Sequence, residues 1–428
     1  MSQSPKFQSA KGTYDILPDQ IPDWTFVEDT FRAVCARAGF REIRTPLFEA
    51  TELFARTAGD SSDVVVTKQM YSFVAPDEQS YTLRPEGTAS VVRAYLEHHL
   101  GEAGPVAKLF YIFPIFRYEN PQAGRSRQHH QCGVEMLGAA GPEADAEVLA
   151  LSRDFLLALG INPTLKINSL GTQESRKAYL THLRAFLEPR RAQLSQDSQT
   201  RLDVNPLRVF DSKDPADHAA LIGAPRLLDF IREQDGESLQ HFEQLCSYLQ
   251  ALNVPYEIDH DLVRGFDYYS RTAFEWVSDK LGAQSTVLGG GRYDGLVEAL
   301  GGKPTPGIGF GSGIERLLLV RHASGFEPEG HPPLTTFLVT LGDKAREAAA
   351  GLLQQVRGAG ISCDRDFVGR SIKAQMREAN RQKALYALIM GEDELNSGTV
   401  SLKDMATGEQ QTLPLEEALT KITQPRGA

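Results

Sequence analysis

Apolar residues recur every three or four positions over residues 23–38, where Trp24, Val27, Phe31, Val34 and Ala38 share one face and Gly39 follows as a stop. An amphipathic helix is expected there. Residues 41–45 read as a strand that Pro46 ends, because proline has no N–H to give a ladder. Residues 107–116 form an aromatic and aliphatic run between Gly104-Pro105 and a polar stretch, so a central strand is expected despite Pro114. Its return partner is 133–137, and the polar connection between them, 117–130, is rich in arginine. From about 171 to 255 the chain turns to Leu, Ala, Gln, Glu and Arg, broken by Asn205-Pro206 and Asp214-Pro215, which suits an inserted set of helices. Strand patterns resume at 256–259 and 272–277, then come Gly289-Gly290-Gly291, a strand at 307–310 and a helix at 312–321. Residues 323–333 have the Pro and Gly density of a linker. Beyond it, strands at 335–340, 361–364 and 385–389 alternate with helices at 344–358 and 371–382, which predicts a small α/β domain.

At 428 residues the chain exceeds one ordinary domain of roughly 100–200 residues. With 41% hydrophobic and 24% charged residues it is a globular sequence with material for sizeable cores. It has no run approaching the roughly 18 apolar residues of a membrane span, and its opening is polar, so a cytoplasmic protein without a membrane partner is expected. Cys35, Cys132, Cys246 and Cys363 lie too far apart for a structural zinc motif, and no metal site built from protein alone is expected. A net charge of -11 weighs against a coat protein held to nucleic acid by a broad basic footprint; local basic faces remain open.

Several nucleotide and hydrolase signatures are missing. Gly301-Gly302-Lys303-Pro304 has proline where a P-loop needs Ser or Thr, and Gly307, Gly309, Gly311 and Gly313 lack dinucleotide-fold spacing. Glycine at every second strand position instead bares the backbone on one face, where a ligand or another backbone can approach closely. No GxSxG or HExxH motif occurs.

Six constellations carry candidate chemistry, each beside a plainer alternative. Arg117, Arg125 and Arg127, with His129 and His130, crowd a connection whose one acid is Glu119; this is a phosphate or nucleic-acid cradle, or a solvated hairpin. Arg264 stands before a glycine turn and the pair Tyr268-Tyr269, as a site residue or a packed cation. Glu86 and Thr88 offer a carboxylate and a hydroxyl to an ammonium group, or Thr88 caps a helix over 89–98. Gln131 and Glu135 share one strand face, where a buried acid wants a cationic partner. Arg316 opens a helix after the glycine strand, facing phosphate or solvent. Arg370, Lys373, Arg377 and Arg381 recur at helical spacing, and residues 365–383 hold six Lys/Arg against Asp366 and Glu378, a local +4 that binds nucleic acid or faces water.

Taken jointly, these segments resemble the histidyl-tRNA synthetase family of class II aminoacyl-tRNA synthetases over nearly the whole chain. Lys11-Gly12-Thr13-Tyr14-Asp15-Ile16-Leu17-Pro18 is similar to the family's opening, and 40–46 with the preceding helix resembles motif 1, the dimer element. Phe116-Arg117-Tyr118-Glu119 through Glu135 resembles motif 2, and 307–317 motif 3. Residues 262–269 and Gly289-Gly290-Gly291-Arg292-Tyr293-Asp294 resemble two histidine-specific signatures, the most diagnostic pieces. The resemblance implies an α+β fold: an antiparallel-sheet catalytic core over 1–170 and 256–325, a helical insertion over 171–255, and an α/β anticodon-binding domain over 334–428. Class I synthetases, with a Rossmann fold and His-Ile-Gly-His and Lys-Met-Ser-Lys-Ser boxes, have no counterpart here.

By that resemblance Glu86 and Thr88 hold the α-amino group of histidine, while Gln131, Glu135, Tyr268, Tyr269 and Tyr293 line the imidazole pocket. Arg117 and Arg264 bracket the α-phosphate and substrate carboxylate as the catalytic pair. Glu119 takes the adenine amino group, Arg316 meets the γ-phosphate, and Arg125 and His129 complete the ATP site. Arg125, Arg127, Arg370, Lys373, Arg377 and Arg381 are the implied tRNA contacts. ATP with Mg²⁺ on its phosphates, L-histidine, tRNA(His) and a second copy of the chain are the implied substrates and partners. Two positions depart from the family pattern: His129 stands where an aromatic such as Phe stacks adenine, and Lys11 replaces an arginine. A competing reading is the non-catalytic regulatory subunit of ATP phosphoribosyltransferase, which shares the core but lacks the C-terminal domain; a third is a tRNA-binding protein with a dead site.

Overall fold

The computed structural model describes residues 7–58, 69–121, 124, 126–210, 212–263, 268–281, 286–327 and 330–423. The chain divides into two compact units, Met1–Glu329 and Gly330–Ala428.

The first unit is built on an eight-stranded sheet. In chain order its strands are β1 (Arg41–Glu42), β5 (Ala107–Phe116), β6 (Gln128–Leu137), β7 (Thr164–Ser169), β8 (Glu257–Ile258), β9 (Ser270–Val277), β10 (Thr286–Arg292) and β11 (Gly307–Gly313), arranged β1-β5-β6-β11-β10-β9-β7-β8. The six central strands pair antiparallel, and the two-residue edges β1 and β8 pair parallel. A side sheet is formed by β2 (Phe48–Ala50), β3 (Tyr71–Val74) and β4 (Ser80–Leu83) in the order β2-β4-β3.

Period two divides the central strands between core and cavity. Phe110, Cys132, Val134, Ile308 and Phe310 enter the main core, while their neighbours Tyr111, Gln131, Glu135, Gly309 and Gly311 line an open cavity on the other face. The core face is covered by helices Ile21–Arg37 and Pro142–Ala158. Phe31 of the first lies edge-on to Phe155 of the second at 4.8 Å and to Phe110 and Phe310 of the sheet at 5.8 and 6.2 Å. Trp276 of β9 donates its indole N–H to Ser152 Oγ at 2.6 Å, so this buried ring satisfies its one polar atom.

Pro114 is tolerated inside β5 for a local reason. The Phe116 N–H and the Phe110 carbonyl both bond away from β6, and 114 shares their side. That flank lies past the end of β1, and there Pro114 O accepts from Arg84 Nε at 2.8 Å. Proline thus removes no ladder bond.

Helices Gln173–Leu187, Gln196–Val204, Pro215–Ala220, Leu227–Gln234 and Gly236–Ala251 fill the stretch expected to be helical. Tyr179, Leu183, Leu187, Leu227 and Ile231 pack in one cluster with Tyr268, Tyr269 and Tyr293, so these helices share a core with the cavity wall.

The second unit holds a five-stranded mixed sheet, β13-β12-β14-β15-β16, of β12 (Thr336–Thr340), β13 (Cys363–Arg365), β14 (Tyr386–Met390), β15 (Thr399–Asp404) and β16 (Gln410–Pro414). The first three run parallel, joined by helices Asp343–Gly358 and Ile372–Arg381.

Four expectations need correction. The strand at 41–45 shortens to Arg41–Glu42, because only Leu109 and Phe110 offer it partners. β6 begins at Gln128, which moves His129 and His130 from the loop into the strand. The triple glycine lies inside β10, where Gly290 and Gly291 pack against backbone carbonyls of Gly309 and Thr272 too closely for any Cβ. Beyond 389, where no elements were expected, lie helix Glu392–Ser397, β15, β16 and helix Leu415–Thr423.

Candidate active site

The cavity is about 600 Å³ and draws its walls from β5, β6, β9, β10, β11, the Pro85–Thr88 turn and the helix after β11. Its floor is a cross-strand arrangement. Gly309 of β11 stands opposite Glu135 and Gly313 opposite Gln131. A Cβ on Gly309 would strike the Glu135 carboxylate, and one on Gly311 the Gln131 amide. The alternating glycines therefore make room for two polar side chains from the adjacent strand.

Glu135 is 1% exposed. Thr88 Oγ1 donates to its Oε1 at 2.8 Å, Tyr111 Oη to the same oxygen at 3.4 Å, and Tyr293 Oη to its Oε2. Burial pushes this carboxyl up to about 8, above the opposing pull of those hydroxyls. The shift biases this carboxyl toward its protonated form near neutral pH. Gln131 Oε1 is buried without a hydrogen-bond partner among the described residues, an acceptor placed for a donor that a ligand brings. Tyr268 lies 4.7 Å from Tyr269 and 5.9 Å from Tyr293, ring to ring, and all three line the cavity.

The alternatives for Glu86 and Thr88 resolve in an unexpected way. Helix Thr88–Glu97 is capped by Glu86, which accepts the N–H groups of Thr88 at 3.0 Å and Ala89 at 2.9 Å. Thr88 is not the cap; its hydroxyl is on Glu135. Glu86 is fully buried, which raises its pKa against the lowering effect of the amides and of Arg117. Arg84, two residues earlier, anchors this turn with Nε on Pro114 O and Nη1 on the Thr45 and Pro46 carbonyls at 2.9 and 3.1 Å. Its guanidinium lies 3.6 Å from the centre of the Phe113 ring, and burial lowers its pKa to about 10.

Arg117, Glu119, His129 and Arg316 line the same cavity. Arg117 Nε donates to Pro85 O at 2.7 Å, and its Nη1 lies 3.9 Å from Glu119. Arg316 Nη1 donates to Thr286 O at 2.6 Å. His129 is held down to about 4 by burial and then by the Arg117 charge, so its ring is neutral at physiological pH. Arg127 is turned away: Nε and Nη1 donate to the carbonyls of Glu119 and Lys11, and its guanidinium covers the Tyr118 ring at 3.8 Å. Arg125 and Arg264 lie outside the described residues.

Sequence reasoning missed Tyr111, whose ring fills the space left by Gly87 and Gly133, and missed Arg208 and Lys213, which line the cavity from the helical stretch. The pairing of glycines on facing segments was the one available signal for Tyr111. Nothing in the sequence pointed to Arg208 or Lys213.

In the second unit, Arg370 precedes helix Ile372–Arg381 and folds onto Asp366 and Glu378, and Arg381 also binds Glu378. Lys373 and Arg377 are exposed on that helix. The four cations thus do not form one open basic face, since two are drawn onto carboxylates.

Residues 12–317 match the family model described as Histidyl-tRNA synthetase, and 335–424 match one described as Anticodon binding domain. The chain belongs to the histidyl-tRNA synthetase family. It is 46% identical over 411 residues to Histidine--tRNA ligase of Desulfitobacterium hafniense, covering 96% of each chain. It is 48% identical over 409 residues to Histidine--tRNA ligase of Synechococcus sp., covering 95% of this chain and 96% of the relative. The crystal structure of apo S. aureus histidyl-tRNA synthetase superposes with a TM-score of 0.81 at 38% identity, over 98% of this chain and all of that one. The α+β sheet core with a separate C-terminal domain is the class II synthetase architecture. Among the described residues no helix is long and apolar enough to cross a membrane.

Proposed function

We propose that the protein is a histidine–tRNA ligase: it activates L-histidine with ATP to histidyl-adenylate and pyrophosphate, then transfers histidine to the 3′ end of tRNA(His). The observation that carries this is the pairing, in one cavity, of a buried Glu135 with Arg117 and Arg316. An acid at the apolar end reads an imidazole, and cations at the open end read a polyphosphate.

Glu86 and Thr88 receive the α-ammonium group, and Gln131, whose buried Oε1 lacks a partner among the described residues, lines the imidazole pocket. Glu135, steadied by Tyr293, Thr88 and Tyr111, exchanges a proton with the imidazole, and Tyr268 and Tyr269 close over it. The carboxylate of histidine attacks the α-phosphorus in line; the new O–P bond forms as the bond to pyrophosphate breaks. Negative charge gathers on the phosphoryl oxygens, and fixed cations lower that barrier without reorganising. Arg117, anchored on Pro85 O, is one such cation; Arg264 is the other by family resemblance. Glu119 and His129 hold adenine, and Arg316 the γ-phosphate. In the second step the terminal ribose hydroxyl of tRNA attacks the acyl carbon and AMP leaves.

Mg²⁺ arrives with ATP as part of the substrate. Among the described residues no three His, Cys, Asp or Glu side chains gather to cage an ion by themselves. Glu275, on the cavity wall and bonded by Thr286 Oγ1 at 2.7 Å, is the carboxylate suited to one of its waters. Lys373 and Arg377 meet tRNA, Arg125 joins them by family resemblance, and a cytoplasmic homodimer is the working form.

ATP–pyrophosphate exchange with each of the twenty amino acids in turn tests this. Exchange with histidine alone supports it. A folded, histidine-binding protein that exchanges with none supports the non-catalytic regulatory-subunit reading instead.

A further inference from the structure

The opening segment, residues 11–16, has no role in the scheme above, yet it is tied to both elements that flank the phosphate end of the cavity. The Gly12 carbonyl accepts the Arg127 backbone N–H at 2.7 Å. Gly12 has φ +84, and a Cβ there would come within 2.7 Å of the Arg127 stem, so conformation and space both require glycine. Two residues on, the Tyr14 hydroxyl donates to Glu315 Oε1 at 3.1 Å.

Glu315 sits in the first turn of helix Ile314–Ala323, next to Arg316, and lines the same cavity. Its oxygens also accept the His130 backbone N–H at 2.9 and 3.1 Å, and its Oε1 lies 3.1 Å from His130 Nδ1. Trp24 meets the His130 ring edge-on at 4.9 Å and fixes its plane. A carboxylate on the wall of a polyphosphate site does harm in two ways: it repels the phosphates and it competes for the neighbouring guanidinium. Here the acid is held by donors from β6 itself and from the opening segment.

We propose that Tyr14 is a positioning residue for ATP: by holding the Glu315 carboxylate on His130, the opening segment keeps that negative charge from turning toward the polyphosphate. This rests on the proposed function for the occupant of the site and extends it to a segment far from the reacting atoms.

The test is ATP–pyrophosphate exchange with histidine, varying each substrate separately, in wild type, Tyr14→Phe, Glu315→Gln and the double variant. Wild-type exchange judges the proposed function alone, and only the ratios among variants judge the role of Tyr14. Tyr14→Phe should raise KM for ATP about five- to tenfold, the scale of losing one hydrogen bond to a partly exposed charge, and move KM for histidine less than about twofold. Glu315→Gln keeps an acceptor oxygen and removes the charge, so added to Tyr14→Phe it should restore KM for ATP to within about twofold of wild type. Loss of folded enzyme would lower the apparent kcat but leave this KM pattern readable. An unchanged KM for ATP, a joint rise of both KM values, or a double variant as impaired as Tyr14→Phe overturns the proposal.

Discussion

Replacing Glu135 by Gln should change how histidine binding depends on pH, and the direction follows from burial. The step from the ordinary 4.5 to about 8 corresponds to about 5 kcal/mol against ionising this carboxyl in the empty pocket. Suppose the complex keeps one proton between Glu135 and the imidazole, whose own pKa is about 6.5. Between about pH 6.5 and pH 8, binding then neither takes up nor releases a proton, and Kd is flat. Above about 8 the complex must take one up, so affinity falls toward tenfold per pH unit. Glu135→Gln cannot take part in that exchange: it should weaken histidine about 10- to 100-fold at pH 7, as for a lost charge-assisted hydrogen bond, and abolish the upper limb. Stability gives an independent check. The folded-state value lies above the unfolded one, so the contribution of this group is full below 4.5 and is lost as pH rises through about 8. The variant should therefore lose less stability than wild type between pH 6 and about 9. The assay is calorimetric titration of histidine from about pH 6 to 8.8, below the range in which the amino group of free histidine dominates. A wild-type Kd that already weakens steadily from pH 6.5 to 7.5, or an upper limb that survives in Glu135→Gln, would refute the reasoning.

Other consequences are open to direct measurement. His129→Phe should shift KM for ATP less than about threefold and leave it flat from pH 5.5 to 8, because the native ring titrates only near 4; a wild-type KM for ATP that follows a group near 6.5 in this range would count against a neutral His129. Gly311→Ala forces the Gln131 amide aside and should cut exchange about 10²-fold with little change in Tm, as expected when a substrate-facing group moves by about 1 Å. Arg292→Met leaves Asp145 charged and fully buried without its main partner, and should lower urea stability by about 3–5 kcal/mol. Arg377→Glu should weaken tRNA binding and reduce its salt dependence while leaving activation unchanged; equal tRNA affinity in filter binding would return this helix to a solvated surface.

What the sequence made legible was periodicity. Residues 107–116 are a strand with those very bounds, since apolarity and flanking turn residues agree, and the face shared by Gln131 and Glu135 follows from period two alone. The glycine strand was read as a surface for a ligand or another backbone, whereas at Gly309 and Gly311 of β11 the Glu135 and Gln131 side chains of β6 take the space. Features that depend on long-range partners were hidden. Thr88 looked like a cap because Ser and Thr favour that position, yet a carboxylate two residues earlier took the amides once Glu135 offered the hydroxyl a better acceptor. Arg84, in a segment singled out for Glu86 and Thr88, is an anchor whose carbonyl partners lie 30 and more positions away. The basic spacing of Arg370 and Arg381 was real, but Asp366 and Glu378 lie within the same stretch and claim them.

The helices of residues 173–251 do not hang from the sheet as an accessory. Tyr179, Leu183, Leu187, Leu227 and Ile231 share one cluster with the three tyrosines of the cavity, Phe242, Leu245 and Leu249 of the last helix join the main core, and Arg176 of the first helix donates to the Tyr269 carbonyl at 2.6 Å. Excising them would strip the backing from the cavity wall rather than trim a peripheral lobe. Any force that tilts them is therefore transmitted to the three tyrosines, which couples the helical stretch mechanically to the cavity.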